Sequence, residues 1–141
     1  MSEINTTLQA SKQLAIQASH HAYAPYSQFK VGAVLILKTG ETITGCNVEN
    51  VSYGLSNCAE RTAIFRAVAQ GVDLTQVDRV IIYTPSDRVY SPCGACRQVM
   101  AEFLAADTAV ISTCDTRDKT WTVGTLLPDA FHFDIEDYRA K

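Results

Sequence analysis

The sequence lacks any cluster of basic residues. Its 12 Lys and Arg residues are scattered, with no two adjacent, and 15 Asp and Glu residues give a net charge of −3 over 141 positions. Proteins that bind polynucleotides normally gather Lys and Arg against the phosphate backbone. The composition therefore argues against a nucleic-acid partner.

Long apolar runs and targeting signals are also missing. The longest apolar stretch, Val31 to Leu37, is far shorter than the roughly 20 residues that span a bilayer. The first residues, MSEINTTLQASK, lack the basic and apolar regions of a secretory signal. We therefore expect a cytoplasmic protein with no membrane partner. Repeats and linker-like stretches are absent too, so residues 1–141 are predicted to form a single domain.

Cysteine occurs in an odd number, which does not suggest a disulfide framework. Five cysteines are present, and Cys93 and Cys96 form a C-x-x-C pair. Thiols stay reduced in the cytoplasm, so this pattern favours metal or redox chemistry over disulfide bonds.

Hydrophobic periodicity predicts alternating helices and strands. Helices are predicted over about residues 3–21, 58–70 and 94–106, with a helical turn near residue 126. Strands are predicted over 29–37, 41–48, 77–84, 109–113 and 120–123. The alternation favours an α/β fold in which helices cover a central sheet. If the second strand persists far enough, Asn47 and Glu49 project from the same face.

Three cysteines and one glutamate open two of the predicted helices. The segments are C58-A-E60 and P92-C-G-A-C96. A helix N-terminus favours the thiolate form that a metal needs, and zinc prefers tetrahedral sites built from Cys or His. Three protein ligands leave a fourth position for a water molecule, whose pKa zinc lowers toward ~7. Glu60 lies two residues from Cys58, which places it within reach of that water.

Other interpretations of these cysteines stay open on spacing alone. A C-x-x-C pair also fits a redox pair, half of a structural zinc site or buried core thiols. Cys46 or Cys114 would be the fourth ligand of a closed structural site. The histidines, His20, His21 and His132, lie outside the motifs and are predicted to be surface residues.

Five motifs extend the pattern over nearly the whole chain. They are A24-P-Y-S27, F29-x-V-G-A33, G45-C-N-x-E-N50, N57-C-A-E-R61 and S91-P-C-G-A-C-R-Q98. With its C-x-E and P-C-x-x-C segments, the sequence resembles the small, homotetrameric, zinc-dependent class of cytidine deaminases. The resemblance implies a three-layer α/β/α sandwich with a five-stranded mixed sheet. It also implies hydrolytic deamination of cytidine and deoxycytidine in pyrimidine salvage, with one zinc ion per subunit.

The resemblance assigns roles around the metal. It makes Cys58, Cys93 and Cys96 the zinc ligands and Glu60 the residue that shuttles protons between water, ring N3 and the leaving ammonia. Arg61 follows Glu60 in the motif. Three thiolates on Zn²⁺ leave a net charge of −1, and we expect the Arg61 guanidinium to offset it by donating to the sulfurs.

The resemblance also assigns residues that bind the nucleoside. Asn47 and Glu49 would bind the ribose hydroxyls, Phe29 would pack on the pyrimidine, and the Ala59 backbone would contact the base edge. Phe131 would reach into a neighbouring subunit's site, so that a tetramer shares its active sites, and Tyr53 is a second candidate at that interface.

Two alternative functions remain at this point. One is deamination of a base within RNA or DNA, or of a nucleoside antibiotic. It would need a basic channel for a flanking strand in the polynucleotide case. The other is a structural zinc module that serves protein interaction, in which Glu60 would have no chemical role.

Overall fold

A five-stranded mixed sheet forms the centre of the computed structural model, which describes residues 7–136. The strands are β1 (Gly32–Leu37), β2 (Thr42–Cys46), β3 (Val77–Tyr83), β4 (Ala109–Thr113) and β5 (Asp118–Thr122). They lie in the order β2-β1-β3-β4-β5. β3 and β4 pair in parallel, and the other neighbours pair antiparallel. The predicted five-stranded mixed sheet is confirmed.

Helices cover both faces of this sheet. They are α1 (Leu8–Ser19), α2 (Ala59–Ala69), α3 (Gly94–Phe103) and the short α4 (Val123–Leu126). On one face, Ala15 of α1 packs with Val34 and Ile81 of the sheet. On the other, Ile64 of α2 and Met100 of α3 belong to the larger core. All six residues of β1 are buried because both of its faces are covered. This is the predicted three-layer α/β/α sandwich.

Several predicted element ends shift in the structure. The described part of α1 begins after its N-cap Thr7, whose hydroxyl accepts from the Ala10 N–H; the predicted start at residues 3–6 lies outside the described residues. The prediction that α3 runs to Ala106 is wrong, because Leu104 already adopts an extended backbone. Within residues 7–136, none of the helices has the length and apolarity to cross a membrane.

The second strand ends at Cys46, before the segment that carries Asn47 and Glu49. Val48 instead forms isolated bridges with Tyr23 on one side and Asn57 on the other. Val48 N–H donates to the Asn57 carbonyl at 2.9 Å, and Asn57 N–H donates back at 2.8 Å. The backbone therefore ties this segment directly to the residue that precedes Cys58.

Gly45 of β2 allows α2 to approach the sheet closely. A Cβ atom at this position would lie 2.4 Å from the Ala63 backbone nitrogen and 2.6 Å from the Ala59 carbonyl oxygen. Real Cβ atoms essentially never make contacts this short. A glycine here therefore fixes how deeply the first two turns of α2 are seated.

Candidate active site

The three motif cysteines come together where α2 and α3 begin. Cys58 is the N-cap of α2 and Cys93 is the N-cap of α3, both with extended backbones. Cys96 lies in the first turn of α3 and is fully buried. The three sulfur atoms all lie within 4.8 Å of one another, and the Cys58 and Cys93 Sγ atoms are 3.7 Å apart.

This spacing fits a tetrahedral zinc ion. Zn–S bonds of about 2.3 Å at tetrahedral angles place two sulfurs about 3.8 Å apart. Among residues 7–136, the cluster of ligand-bearing side chains has only these three members. Cys46 and Cys114 lie outside it, so the closed four-thiol site left open by the spacing is not formed. Three ligands leave one coordination position open, as catalytic zinc sites do.

A cation supports the sulfur cluster. Arg61, in the first turn of α2, donates from Nη2 to Cys58 Sγ at 3.3 Å, while its buried Nε has no hydrogen-bond partner within the described residues. The Cys96 thiol and then Arg61 stabilise the Cys58 thiolate, which lowers the pKa of Cys58 to about 5. The Cys96 thiol shares its proton with Cys58 and is buried, so the pKa of Cys96 is raised. The cluster thus carries negative charge beside one guanidinium.

Glu60 is the carboxyl group closest in sequence to the sulfurs. It lies in the first turn of α2 and is only 6% exposed. Burial, together with the nearby Cys58 thiolate, raises the pKa of Glu60 from its usual 4.5 to about 7. A carboxyl group that titrates near neutrality can both accept and release a proton during one reaction cycle.

A cavity of about 330 Å³ connects this carboxyl group with the predicted sugar-binding residues. Cys58, Cys93 and Glu60 line one part of it, and Asn47 and Glu49 line another. Its remaining walls are Ser27, Phe29, Val31, Ser56, Asn57, Ala59, Ile82, Thr84, Tyr90 and Ser91. The lining combines an apolar body with few polar groups, which is typical of small-molecule sites.

Asn47 is held in place by the loop that precedes β1. Its Oδ1 accepts from the Val31 N–H at 2.8 Å, and its Nδ2 donates to the Phe29 carbonyl at 2.8 Å. One N–H of the amide group remains for a ligand, since the group carries two.

Glu49 is bound by the same loop. Its Oε1 accepts from the N–H groups of Tyr26 and Ser27, at 3.0 and 3.1 Å, and its Oε2 accepts from the Ser27 hydroxyl. These bonds, the hydroxyl first, hold the pKa of Glu49 below its usual value. A carboxylate has about four acceptor positions, so Glu49 keeps about one for a ligand.

Two residues at the site had no role in the sequence interpretation. Tyr90 lines the cavity and meets the Phe29 ring edge to face, with centroids 6.0 Å apart. Arg97 donates to the Pro92 carbonyl, the Leu126 carbonyl and the Ser91 hydroxyl, at 2.7 to 2.9 Å. It therefore clamps the turn that carries Cys93. Arg97 lies within the S91-P-C-G-A-C-R-Q98 motif and Tyr90 directly precedes it, and these positions are their only signal in the sequence.

Phe131 and Tyr53 are placed differently from the other predicted residues. Neither lines the cavity of its own chain, and they are 76% and 77% exposed. Tyr53 instead meets Tyr26 edge to face, with centroids 6.4 Å apart, and both line a neighbouring cavity. The remaining predicted substrate residues, Asn47, Glu49, Phe29 and Ala59, do line the cavity.

Fold and site together define a metalloenzyme class: an α/β/α sandwich with a three-thiolate zinc site and a buried carboxyl group. Residues 5–113 match the family model described as the cytidine and deoxycytidylate deaminase zinc-binding region. The chain belongs to this cytidine and deoxycytidylate deaminase family.

Individual relatives agree with the family assignment. A cytidine deaminase of Halalkalibacterium halodurans is 50% identical over 83% of this chain and 88% of its own. A cytidine deaminase of Mycobacterium tuberculosis is 42% identical over 85% of this chain and 86% of its own. The crystal structure of a cytidine deaminase from Burkholderia pseudomallei superposes with a TM-score of 0.85 at 45% identity, covering 89% of this chain and 99% of the other.

Proposed function

We propose that this chain deaminates cytidine and deoxycytidine, using Glu60 to move protons and Cys58, Cys93 and Cys96 to hold zinc. Water adds at C4 of the cytosine ring and ammonia leaves, so that cytidine and water become uridine and ammonia. The observation that carries the proposal is the cavity that joins the three-thiol cluster and Glu60 to Asn47 and Glu49. Pyrimidine salvage is the process that such a reaction serves.

Zinc, when bound, supplies a Lewis acid that makes water nucleophilic at neutral pH. Glu60 accepts the proton of the attacking water and passes it to N3 of the ring. It then takes the remaining proton from the hydroxyl group added at C4 and delivers it to the departing amino group, so that the C–N bond breaks as the C4 carbonyl forms. Its pKa of about 7 suits both transfers. Arg61 keeps the Cys58 sulfur in its thiolate form through the 3.3 Å hydrogen bond.

The part of the cavity formed by Asn47 and Glu49 suits both ribonucleosides and deoxyribonucleosides. The spare N–H of Asn47 and the spare acceptor position of Glu49 form a donor and acceptor pair, which suits a single hydroxyl group. A site that satisfies one hydroxyl has no need of a second. We therefore expect ribo- and deoxyribonucleosides to bind alike, with Phe29 and the Ala59 backbone contacting the base.

We further propose a homotetramer in the cytoplasm. Phe131 is 76% exposed and does not line its own cavity, so a role at substrate requires a neighbouring copy. The five cysteines are all unpaired, as expected for a reducing compartment. Light scattering on the purified protein tests the tetramer, and a monomer that turns over cytidine at full rate would contradict the shared site.

The test of the activity is the fall in ultraviolet absorbance when the zinc-loaded protein is mixed with cytidine or deoxycytidine. Glu60→Gln should retain zinc and fold yet lose at least about a hundredfold in kcat, since general acid–base catalysis contributes that much. Glu102→Gln, an exposed glutamate on α3, is the matched control and should behave as wild type.

Two outcomes would overturn the proposal. If the zinc-loaded protein turns over neither nucleoside, the chain is not a nucleoside deaminase. If Glu60→Gln is as active as Glu102→Gln, Glu60 moves no proton in the rate-limiting chemistry. Competition by an oligonucleotide at low concentration would instead favour a polynucleotide substrate.

A further inference from the structure

Ser27 joins the two halves of the substrate cavity through one hydroxyl group. The hydroxyl donates to Glu49 Oε2 and accepts from the Phe29 N–H at 3.0 Å. The Phe29 carbonyl in turn accepts from Asn47 at 2.8 Å. Glu49, Ser27, Phe29 and Asn47 are thereby joined by one continuous chain of hydrogen bonds, which links the loop to the segment after β2.

The backbone between Ser27 and Phe29 has an unusual conformation that this chain of hydrogen bonds helps to hold. Gln28 has a positive φ of 58°, a conformation uncommon for residues other than glycine. Such a residue persists only where its surroundings hold it. Its N–H donates to the Ala24 carbonyl at 2.9 Å, and the Ser27 hydroxyl bonds to the residue on its other side. The loop therefore has one preferred shape, which places the Phe29 ring.

We propose that Ser27 is a positioning residue for nucleoside binding, which sets the orientation of the Glu49 carboxylate and of the Phe29 ring together. This inference rests on the proposed function, because it takes the cavity to hold a nucleoside. Without the hydroxyl, Glu49 Oε2 loses its donor from the loop, and the carboxylate is held through Oε1 alone by the N–H groups of Tyr26 and Ser27. The Phe29 N–H loses its partner at the same time. Neither change touches Glu60 or the sulfur cluster.

The position of Ser27 predicts a loss of binding without a loss of chemistry. Ser27→Ala should raise the KM for cytidine about tenfold, the usual effect of losing a hydrogen bond to a charged group, and leave kcat within about twofold. Ser27→Thr keeps the hydroxyl at an exposed position and should restore the KM. Thr39→Ala is the matched control, because Thr39 makes the same kind of bond to Glu41, at 3.0 Å, on the β1–β2 turn.

A second substrate and a second variant separate positioning from a general weakening of the fold. For 2′,3′-dideoxycytidine, which lacks the 2′ and 3′ hydroxyls of the sugar, Ser27→Ala should reduce kcat/KM much less than it does for cytidine. In a Glu49→Gln background, Ser27→Ala should add a smaller further loss than it causes in the wild type, because only its effect through Phe29 remains. Melting temperature and zinc content should match wild type in all single variants.

The outcomes distinguish this inference from the proposed function. Absence of cytidine turnover in the wild type would overturn the proposed function. Given wild-type turnover, the Ser27 proposal is overturned by an unchanged KM in Ser27→Ala, by equal losses for the two nucleosides, or by a fall in kcat alone. A Ser27→Thr variant as defective as Ser27→Ala, or full additivity with Glu49→Gln, would also overturn it.

Discussion

Replacing Gly45 of β2 by alanine should disturb the metal site by displacing α2, the helix that begins at Cys58. The added Cβ would lie 2.4 Å from the Ala63 nitrogen, against about 3.4 Å for ordinary contact. The Ala63 nitrogen and the Ala59 carbonyl oxygen, the two nearest atoms, both belong to the backbone of α2. Because no side chain can rotate away from the new Cβ, the helix must move away from the sheet by about 1 Å. Overpacking of this kind costs about 3 kcal/mol of unfolding free energy, the upper part of the usual range.

The same movement should reach the chemistry, because α2 begins at Cys58 and carries Glu60 in its first turn. A misplacement of about 1 Å at reacting groups lowers turnover about a hundredfold, and metal sites tolerate only about 0.2 Å in ligand distances. We therefore expect Gly45→Ala to lose zinc at a lower chelator concentration and to retain about 1% of wild-type kcat.

The assays are denaturant unfolding, zinc content and cytidine turnover, measured together. Gly54→Ala is the matched control, since a Cβ there meets nothing within 4 Å, and it should match wild type in all three. If Gly45→Ala has the unfolding midpoint, zinc content and turnover of Gly54→Ala, the close approach of α2 to β2 does not constrain the site and the reasoning is refuted.

Three further predictions concern charge, pH and the aromatic wall. Arg61→Gln removes the donor to Cys58, so zinc should be released to a chelator about tenfold faster; an unchanged release rate would contradict the role of Arg61. Burial and a 2.6 Å hydrogen bond to Asp115 raise the pKa of Tyr83 from 10 to about 12. As pH rises, the Tyr83 phenol loses its proton in the unfolded chain before it does so in the folded chain. The unfolding free energy should therefore fall by about 2 kcal/mol between pH 10 and pH 12. Tyr83→Phe should lack this fall, and parallel pH curves for the two proteins would contradict it. Tyr90→Ala removes the ring that meets Phe29 and should raise the KM for cytidine about threefold to tenfold with kcat preserved; a selective loss of kcat would be the contrary result.

Most of the metal site could be predicted from the sequence because its residues lie at helix starts. Cys58 and Cys93 are N-caps, and the start of a helix can be recognised from a short stretch of neighbouring residues. The predicted helix 58–70 is therefore close to the observed Ala59–Ala69. The end of α3 could not be predicted, because apolar periodicity continues through Leu104 while its backbone has already become extended.

The predicted reason for the shared placement of Asn47 and Glu49 was wrong. A continued strand would have placed Asn47 and Glu49 on one face, yet β2 stops at Cys46. The two side chains share the cavity because the loop around Ser27 binds both of them. These contacts join residues about 20 positions apart, and periodicity within a single segment carries no information about them. Tyr90 was missed for the same reason.

The double bridge at Val48 also explains why the side chain between Asn47 and Glu49 matters little. Main-chain atoms alone link this residue to Tyr23 and Asn57, and its side chain is 42% exposed. Any residue with an ordinary extended backbone would serve as well. Position 48 is therefore a place where a reporter group can be attached beside the cavity without loss of the main-chain bonds that hold the segment.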